Sequence, residues 1–325
     1  MAFRRSITFL PAALAAGAFI ASSAGAAGIQ RLETPAAEGA EPLRGAIWSP
    51  CARPAGEVRL RRILVPGVKD CPVAGERLPL VVISHGFNGW FGGHHDTAAA
   101  LADAGFVVAA ITHAGELSRR WRFTRPAAIK RLIDHMLERW PERARIDADR
   151  IGFFGFSRGG FTGLVAIGGV PDFRRIVDHC RRVRSDPVCR PVSQPARQDR
   201  RRVAAPAPRY VHDPRIKAAV IAAPLGVVFG RDGLKAVRVP VQLWRAEKDE
   251  RALFPHHAEA VADALPVKPD YRVAPAGHFA FLTPCTPAQA AAVPALCRDA
   301  VGFDRVAFHQ RFNAEIVAFF RKHLR

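Results

Sequence analysis

A serine, an acid and a histidine, met in that order along a chain, can turn a weak hydroxyl into a nucleophile. Here the serine is Ser157, set in Gly155-Phe156-Ser157-Arg158-Gly159. An apolar run, 151–154, precedes it, and the small-residue pattern 160–166 follows. The pattern predicts a strand, a sharp turn with Ser157 at its apex, and a helix. Small neighbours at Gly155 and Gly159 allow the strained backbone that such a turn demands. The hydroxyl then stands at a helix N-terminus, where free N–H groups and positive dipole gather.

The acid and the base are expected further on. Residues 239–244 read as a buried strand, and Arg245-Ala246-Glu247-Lys248-Asp249-Glu250 is the loop leaving its carboxyl end. Asp249 is the preferred acid, with Glu247 and Glu250 as competitors. The next apolar run, 271–275, leads into Ala276-Gly277-His278-Phe279, and His278 is the expected base. The chain holds twelve histidines. Of these, His256, His257, His309 and His323 are expected at the surface. Upstream, the continuous apolar strand 80–84 runs into His85-Gly86-Phe87-Asn88-Gly89. A strand ending in His-Gly-x offers a backbone N–H to a developing oxyanion, and the residue after the nucleophile offers a second. The expected donors are the N–H groups of Phe87 and Arg158, with His85 fixing the loop. The set His85, His94, His95 and Asp96 fits no standard zinc spacing and reads instead as the approach to a helix.

Together these segments resemble the α/β-hydrolase superfamily, and within it the bacterial predicted dienelactone hydrolases related to platelet-activating-factor acetylhydrolases. The likeness is carried by Val82-Ile83-Ser84-His85-Gly86, by Gly105-Phe106-Val107-Val108-Ala109-Ala110, by the stretch from Arg150 to Gly160, and by Ala276-Gly277-His278-Phe279-Ala280-Phe281-Leu282. It runs from about residue 44 onward and is weakest over 171–209. Dienelactone hydrolases proper carry a cysteine at the turn where this chain has Ser157. The following residue, Arg158, is larger and more charged than is usual there. The resemblance implies hydrolysis of carboxylic esters, with a small-molecule or polymeric ester as substrate, and no metal or organic cofactor. The alternatives are another acyl hydrolase (a peptidase, a lipase or a polyester depolymerase), or a non-catalytic binding protein that uses its basic surface.

The N-terminus reads as an export signal over residues 1–26: Arg4 and Arg5, an apolar stretch 9–20, and Ala24-Gly25-Ala26 as cleavage site. The apolar stretch is too short for a membrane span. The remainder, 27–325, is long enough for one large domain, exported to the periplasm or beyond. Six cysteines follow the signal, which suits an oxidising compartment. Of the connectivities open to them, the local pairing Cys51/Cys71, Cys180/Cys189 and Cys285/Cys297 is preferred, because each pair brackets a loop that a bridge could pin.

The net charge is +19 and is densest over 171–209, where eleven arginines face four aspartates. This Arg/Pro-rich stretch, which includes Arg200, Arg201 and Arg202, shows no sustained periodicity and reads as an inserted loop over the active-site face. Solvated basic surface is the first reading, and weak attraction to anionic surfaces the second. No nucleic-acid motif accompanies it.

Elsewhere strands and helices alternate, so the expected fold class is α/β, an α/β-hydrolase fold with a mostly parallel central sheet and helices on both faces. Antiparallel edge strands are expected at 42–49 and 58–65. Parallel strands are expected at 80–84, 106–111, 150–156, 216–222, 239–244 and 270–274. Helices are expected at 95–104, 126–140, 158–167, 255–265 and 304–322.

Overall fold

The apolar run Leu80-Val81-Val82-Ile83 has no polar alternation because both faces of its strand are covered. In the computed structural model, which describes residues 26–36, 40–118, 120–190 and 209–325, Leu80 and Val82 point into one core and Val81 and Ile83 into another. The chain runs through β1 (Gly28–Glu33), β2 (Arg44–Ser49), β3 (Gly56–Leu60), β4 (Ile63–Lys69), β5 (Leu78–Ser84), α1 (His95–Asp103), β6 (Val107–Thr112), α2 (Trp121–Glu138), β7 (Ile146–Phe156) and α3 (Arg158–Ala166). It continues with α4 (Arg174–Arg182), β8 (Ile216–Ala222), α5 (Arg231–Leu234), β9 (Val241–Ala246), α6 (Ala258–Ala264), β10 (Asp270–Ala274), α7 (Pro287–Ala292), α8 (Pro294–Cys297) and α9 (Arg305–His323).

The strands form one ten-stranded sheet in the order β10-β9-β8-β7-β5-β6-β2-β1-β4-β3. All neighbours from β6 through β5 to β10 are parallel, and β2 turns antiparallel against β6. Between β6 and β7 the order reverses around β5. In open α/β sheets the crevice at the carboxyl ends of such strands is where ligands bind. Ser84 of β5 pairs there with Gly155 of β7.

One core packs Ile129, Leu132, Ile133 and Met136 of α2 and Phe161 and Leu164 of α3 against the sheet. The opposite core takes Leu101 of α1 and Phe308, Phe312, Ile316 and Phe320 of α9. An aromatic group fills its centre: Trp244 lies edge-on to Phe312 at 4.9 Å, and Phe281 lies 5.4 Å from Phe312 and 5.7 Å from Phe308. Phe281 is fully buried and closes the 3-10 turn His278–Phe281, so this core backs the segment that carries His278. Phe281→Ala is expected to cost about 3–5 kcal/mol of stability, measured by chemical denaturation, because the hole it leaves is walled by rigid rings.

Where elements depart from the sequence reading, tertiary contacts explain the difference. Strand β1 was not expected; it is zipped to β2 over six residues. The expected strand at 58–65 is instead the hairpin of β3 and β4, turning at Arg61, whose φ is 52°. Helix α2 starts at Trp121, a turn before Pro126, and Trp121 is held edge-on to Phe161 at 4.9 Å. The segment 171–209, read as a loop, contains α4 and a 3-10 turn, Pro187–Cys189. The Cys180–Cys189 disulfide, with Cα atoms 5.4 Å apart, ties those two pieces together, and Phe173, Ile176 and Val188 pack against the core. Residues 1–25 of the expected export signal, and Arg200, Arg201 and Arg202, lie outside the described residues.

The other two cysteine pairs also match the local scheme: Cys51–Cys71 and Cys285–Cys297, with Cα separations of 6.0 and 5.8 Å. Among the described residues no helix is long and apolar enough to cross a membrane.

Candidate active site

Ser157 ends β7 and opens α3 with φ 56° and ψ −113°, outside the regions open to most side chains. The turn is possible only because its neighbours lack side chains. A Cβ on Gly155 would lie 2.3 Å from the Gly159 carbonyl oxygen, and one on Gly159 would lie 1.9 Å from the carbonyl oxygen of Ser84. The turn is also tied from the β8 side: Ser157 N–H donates to Ala222 O at 2.8 Å, and Leu225 N–H donates to Ser157 O at 3.2 Å.

Three of the expected residues meet. His278 Nε2 lies 3.0 Å from Ser157 Oγ, and His278 Nδ1 lies 2.9 Å from both carboxylate oxygens of Asp249. A carboxylate only accepts, so Nδ1 carries the proton and the Nε2 lone pair faces the serine hydroxyl. Asp249 is itself fixed, since its Oδ1 accepts from Arg251 N–H at 2.9 Å and Ala252 N–H at 2.7 Å. Its two competitors lie elsewhere. Glu247 is exposed, while Glu250 accepts the backbone N–H of His278 at 3.0 Å and holds the loop rather than the ring. In chemical terms, the imidazole can take the Ser157 proton as Oγ attacks, and Asp249 can stabilise the cation that forms.

The two expected oxyanion donors flank this array. Arg158 is the first residue of α3, and Gly86 is packed so tightly that a Cβ there would lie 3.4 Å from Ser157 Cβ. Among the described residues neither Phe87 N–H nor Arg158 N–H is spent on another backbone group, which leaves both for a ligand. His85 is held by the backbone: its Nε2 accepts from His113 N–H at 3.0 Å and its Nδ1 donates to Gly86 O at 2.6 Å. Burial, reinforced by the charge of Arg125, pushes its pKa far down, so it stays neutral.

Several site features carried no sequence signal. Arg125, on α2, is fully buried and faces the 85–86 carbonyls, and Glu116 bridges it to Arg158. His257 is buried, not superficial, because its Nδ1 accepts from Gly226 N–H at 3.2 Å and its Nε2 donates to Asp186 at 3.1 Å. Burial alone would raise the pKa of Asp186, but hydrogen bonds from His257, Val188 N–H and His179 outweigh it and hold the carboxyl at about 2. His309 is likewise buried. It donates to Asp96 at 2.5 Å, and its other nitrogen lies 2.8 Å from Ala280 O, two residues beyond His278. His256 and His323 are partly exposed.

The described part of 171–209 is hydrogen-bonded to the segment that follows β8. Asp172 N–H donates to Val228 O, Arg175 donates to Val227 O, and no hydrogen bond from this part reaches Ser157, Asp249 or His278. A cavity of about 250 Å³ between it and His256 is lined by Arg175, His179 and Arg182 and contains none of those three residues. The convergence of hydrogen-bonded groups, rather than volume, places the candidate site at Ser157.

Among the described residues no three His, Cys, Asp or Glu side chains converge as metal ligands. His94 is buried between the edges of Phe154 and Phe156, and its burial pushes its pKa down to about 4. Compared with known proteins, the chain matches no family pattern and finds no curated relative.

Proposed function

We propose that the chain is an exported serine hydrolase of the α/β-hydrolase superfamily that cleaves carboxylic esters. The observation that carries this reading is the unbroken chain Ser157 Oγ, His278 Nε2, His278 Nδ1, Asp249, with its members 3.0 and 2.9 Å apart. The strained backbone at Ser157 supports it, since such geometry persists only where the surroundings enforce it. The sheet position supports it too, at the reversal of strand order. The three disulfide pairs fit an oxidising destination.

In this reaction Ser157 attacks the acyl carbon while His278 takes its proton. The tetrahedral oxyanion accepts hydrogen bonds from the Phe87 and Arg158 N–H groups. His278 then protonates the leaving alcohol, giving an acyl-serine, and activates the water that releases the acid. Ester is preferred to amide on the strength of the sequence resemblance. The exposed side chain of Phe87, next to Gly86 beside Ser157, offers an apolar surface for the substrate.

A fluorophosphonate probe tests the reading directly, because only an activated serine reacts. Labelling is expected at Ser157 alone, together with hydrolysis of p-nitrophenyl esters whose chain-length profile defines the acyl group. A protein that neither labels nor hydrolyses these esters is not a serine hydrolase.

A further inference from the structure

Glu116, Arg125 and Arg158 form an ion cluster inside the molecule, next to the candidate oxyanion donors. The side chain of Arg125 is fully buried, and those of Glu116 and Arg158 are only 11 % and 16 % exposed. Every direction of the Arg125 fork has a partner. Its Nε donates to Glu116 Oε1 at 2.7 Å, its Nη1 to His85 O at 2.8 Å, and its Nη2 to Gly86 O at 3.0 Å. The two carbonyls it holds belong to the residues immediately before Phe87. With those carbonyls turned toward Arg125, the peptide that ends in Phe87 N–H has its orientation set from behind.

The second donor is fixed by the same carboxylate. Arg158 Nη1 donates to Glu116 O at 2.9 Å and reaches Glu116 Oε2 at 3.3 Å. Its guanidinium lies between two rings, 4.1 Å from the centre of Phe87 and 4.3 Å from that of Trp121. The side chains of the two donor residues thus stack on each other, and Glu116 ties both to Arg125. Two cations share one anion, so the cluster keeps one positive charge beside the place where negative charge would develop. Burial draws the Arg158 guanidinium down to about 10, which leaves it charged at neutral pH.

We propose that Arg125 and Glu116 are positioning residues for the oxyanion hole, acting through the 85–86 carbonyls on Phe87 N–H and through the Arg158 side chain on Arg158 N–H. The inference rests on the serine-hydrolase reading. It separates Arg125 from a merely structural buried cation, because misplacing a donor by an ångström weakens transition-state binding and leaves ground-state binding nearly intact.

The test compares Arg125→Met, Arg125→Lys and Glu116→Gln with the unmodified protein, normalised to the fraction that fluorophosphonate can titrate. Arg125→Met is expected to lower kcat on the order of 10²-fold with KM little changed. It is also expected to weaken binding of a trifluoromethyl ketone, whose adduct with serine places an oxyanion in the hole, by a similar factor. Arg125→Lys, which keeps the charge and can hold one carbonyl, is expected to recover part of both losses. Glu116→Gln is expected to shift both quantities in the same direction, and it carries the test alone if Arg125→Met does not fold. Unchanged kcat and ketone affinity per titratable site in these variants overturns the inference, as does a loss that falls on KM alone. An unmodified protein that neither labels nor turns over esters overturns the esterase reading and this inference with it.

Discussion

Ser157→Ala is expected to lower kcat for ester hydrolysis by a factor on the order of 10⁶ while the protein still folds. The side chain lost is small and only partly buried, and the backbone bonds that hold the turn come from Ala222 and Leu225, not from the hydroxyl. Alanine must still adopt φ 56° there, an unfavourable region for it as for serine, so the change in stability should be small. The measurement is steady-state hydrolysis of a p-nitrophenyl ester, with circular dichroism and denaturation to establish the fold. Hydrolysis at the original rate would place the nucleophile at another residue.

Asp249→Asn should be the next most damaging change, with a loss of about 10⁴ in kcat. Asparagine can keep its oxygen on the Arg251 and Ala252 N–H groups, so the loop geometry survives. Its amide then donates to His278 Nδ1, and the imidazole proton moves to Nε2. A protonated Nε2 cannot accept the Ser157 proton. Glu247→Gln should be nearly silent, because Glu247 faces solvent. Glu250→Gln should cost little more, since an amide oxygen can still accept the His278 N–H. If Glu247→Gln proved the damaging change and Asp249→Asn the mild one, the acid would be Glu247.

The sequence displayed some parts of the molecule more openly than others. Strands β5, β6, β8 and β9 and the second half of β7 are short, mostly apolar runs, and such a pattern is local. The turn at Ser157 announces itself for the same reason: its steric demand falls on the two glycines beside it. The sequence favours Asp249 but leaves Glu247 and Glu250 as competitors, because three acids within four residues differ mainly in where the loop aims them. In the fold it is Asp249 that meets the His278 ring. Arg125 was invisible as a site residue. It sits in a helix rich in arginine, and its partners His85 and Gly86 are forty residues away. His257 and His309 misled for a similar reason: each is buried by a distant carboxylate, Asp186 or Asp96, which no local pattern encodes. Helix α4 is short and charged, and only Ile176, with Phe173 just before it, reaches the core, so its apolar signal is too brief to mark a helix.

The outer strands of the sheet have a consequence for how the protein behaves in company. A strand with one free side is a template for another chain, and long flat apolar ones seed aggregates. Here the outermost strand β3 has five residues and exposes Glu57 and Arg59. At the opposite margin β10 is equally short, and Arg272 on it is tethered to Asp270 at 2.7 Å and to Glu315 at 3.4 Å. A second copy adding itself in register would have to strip water from these charges and bring like charges together. Both margins therefore resist strand-by-strand growth.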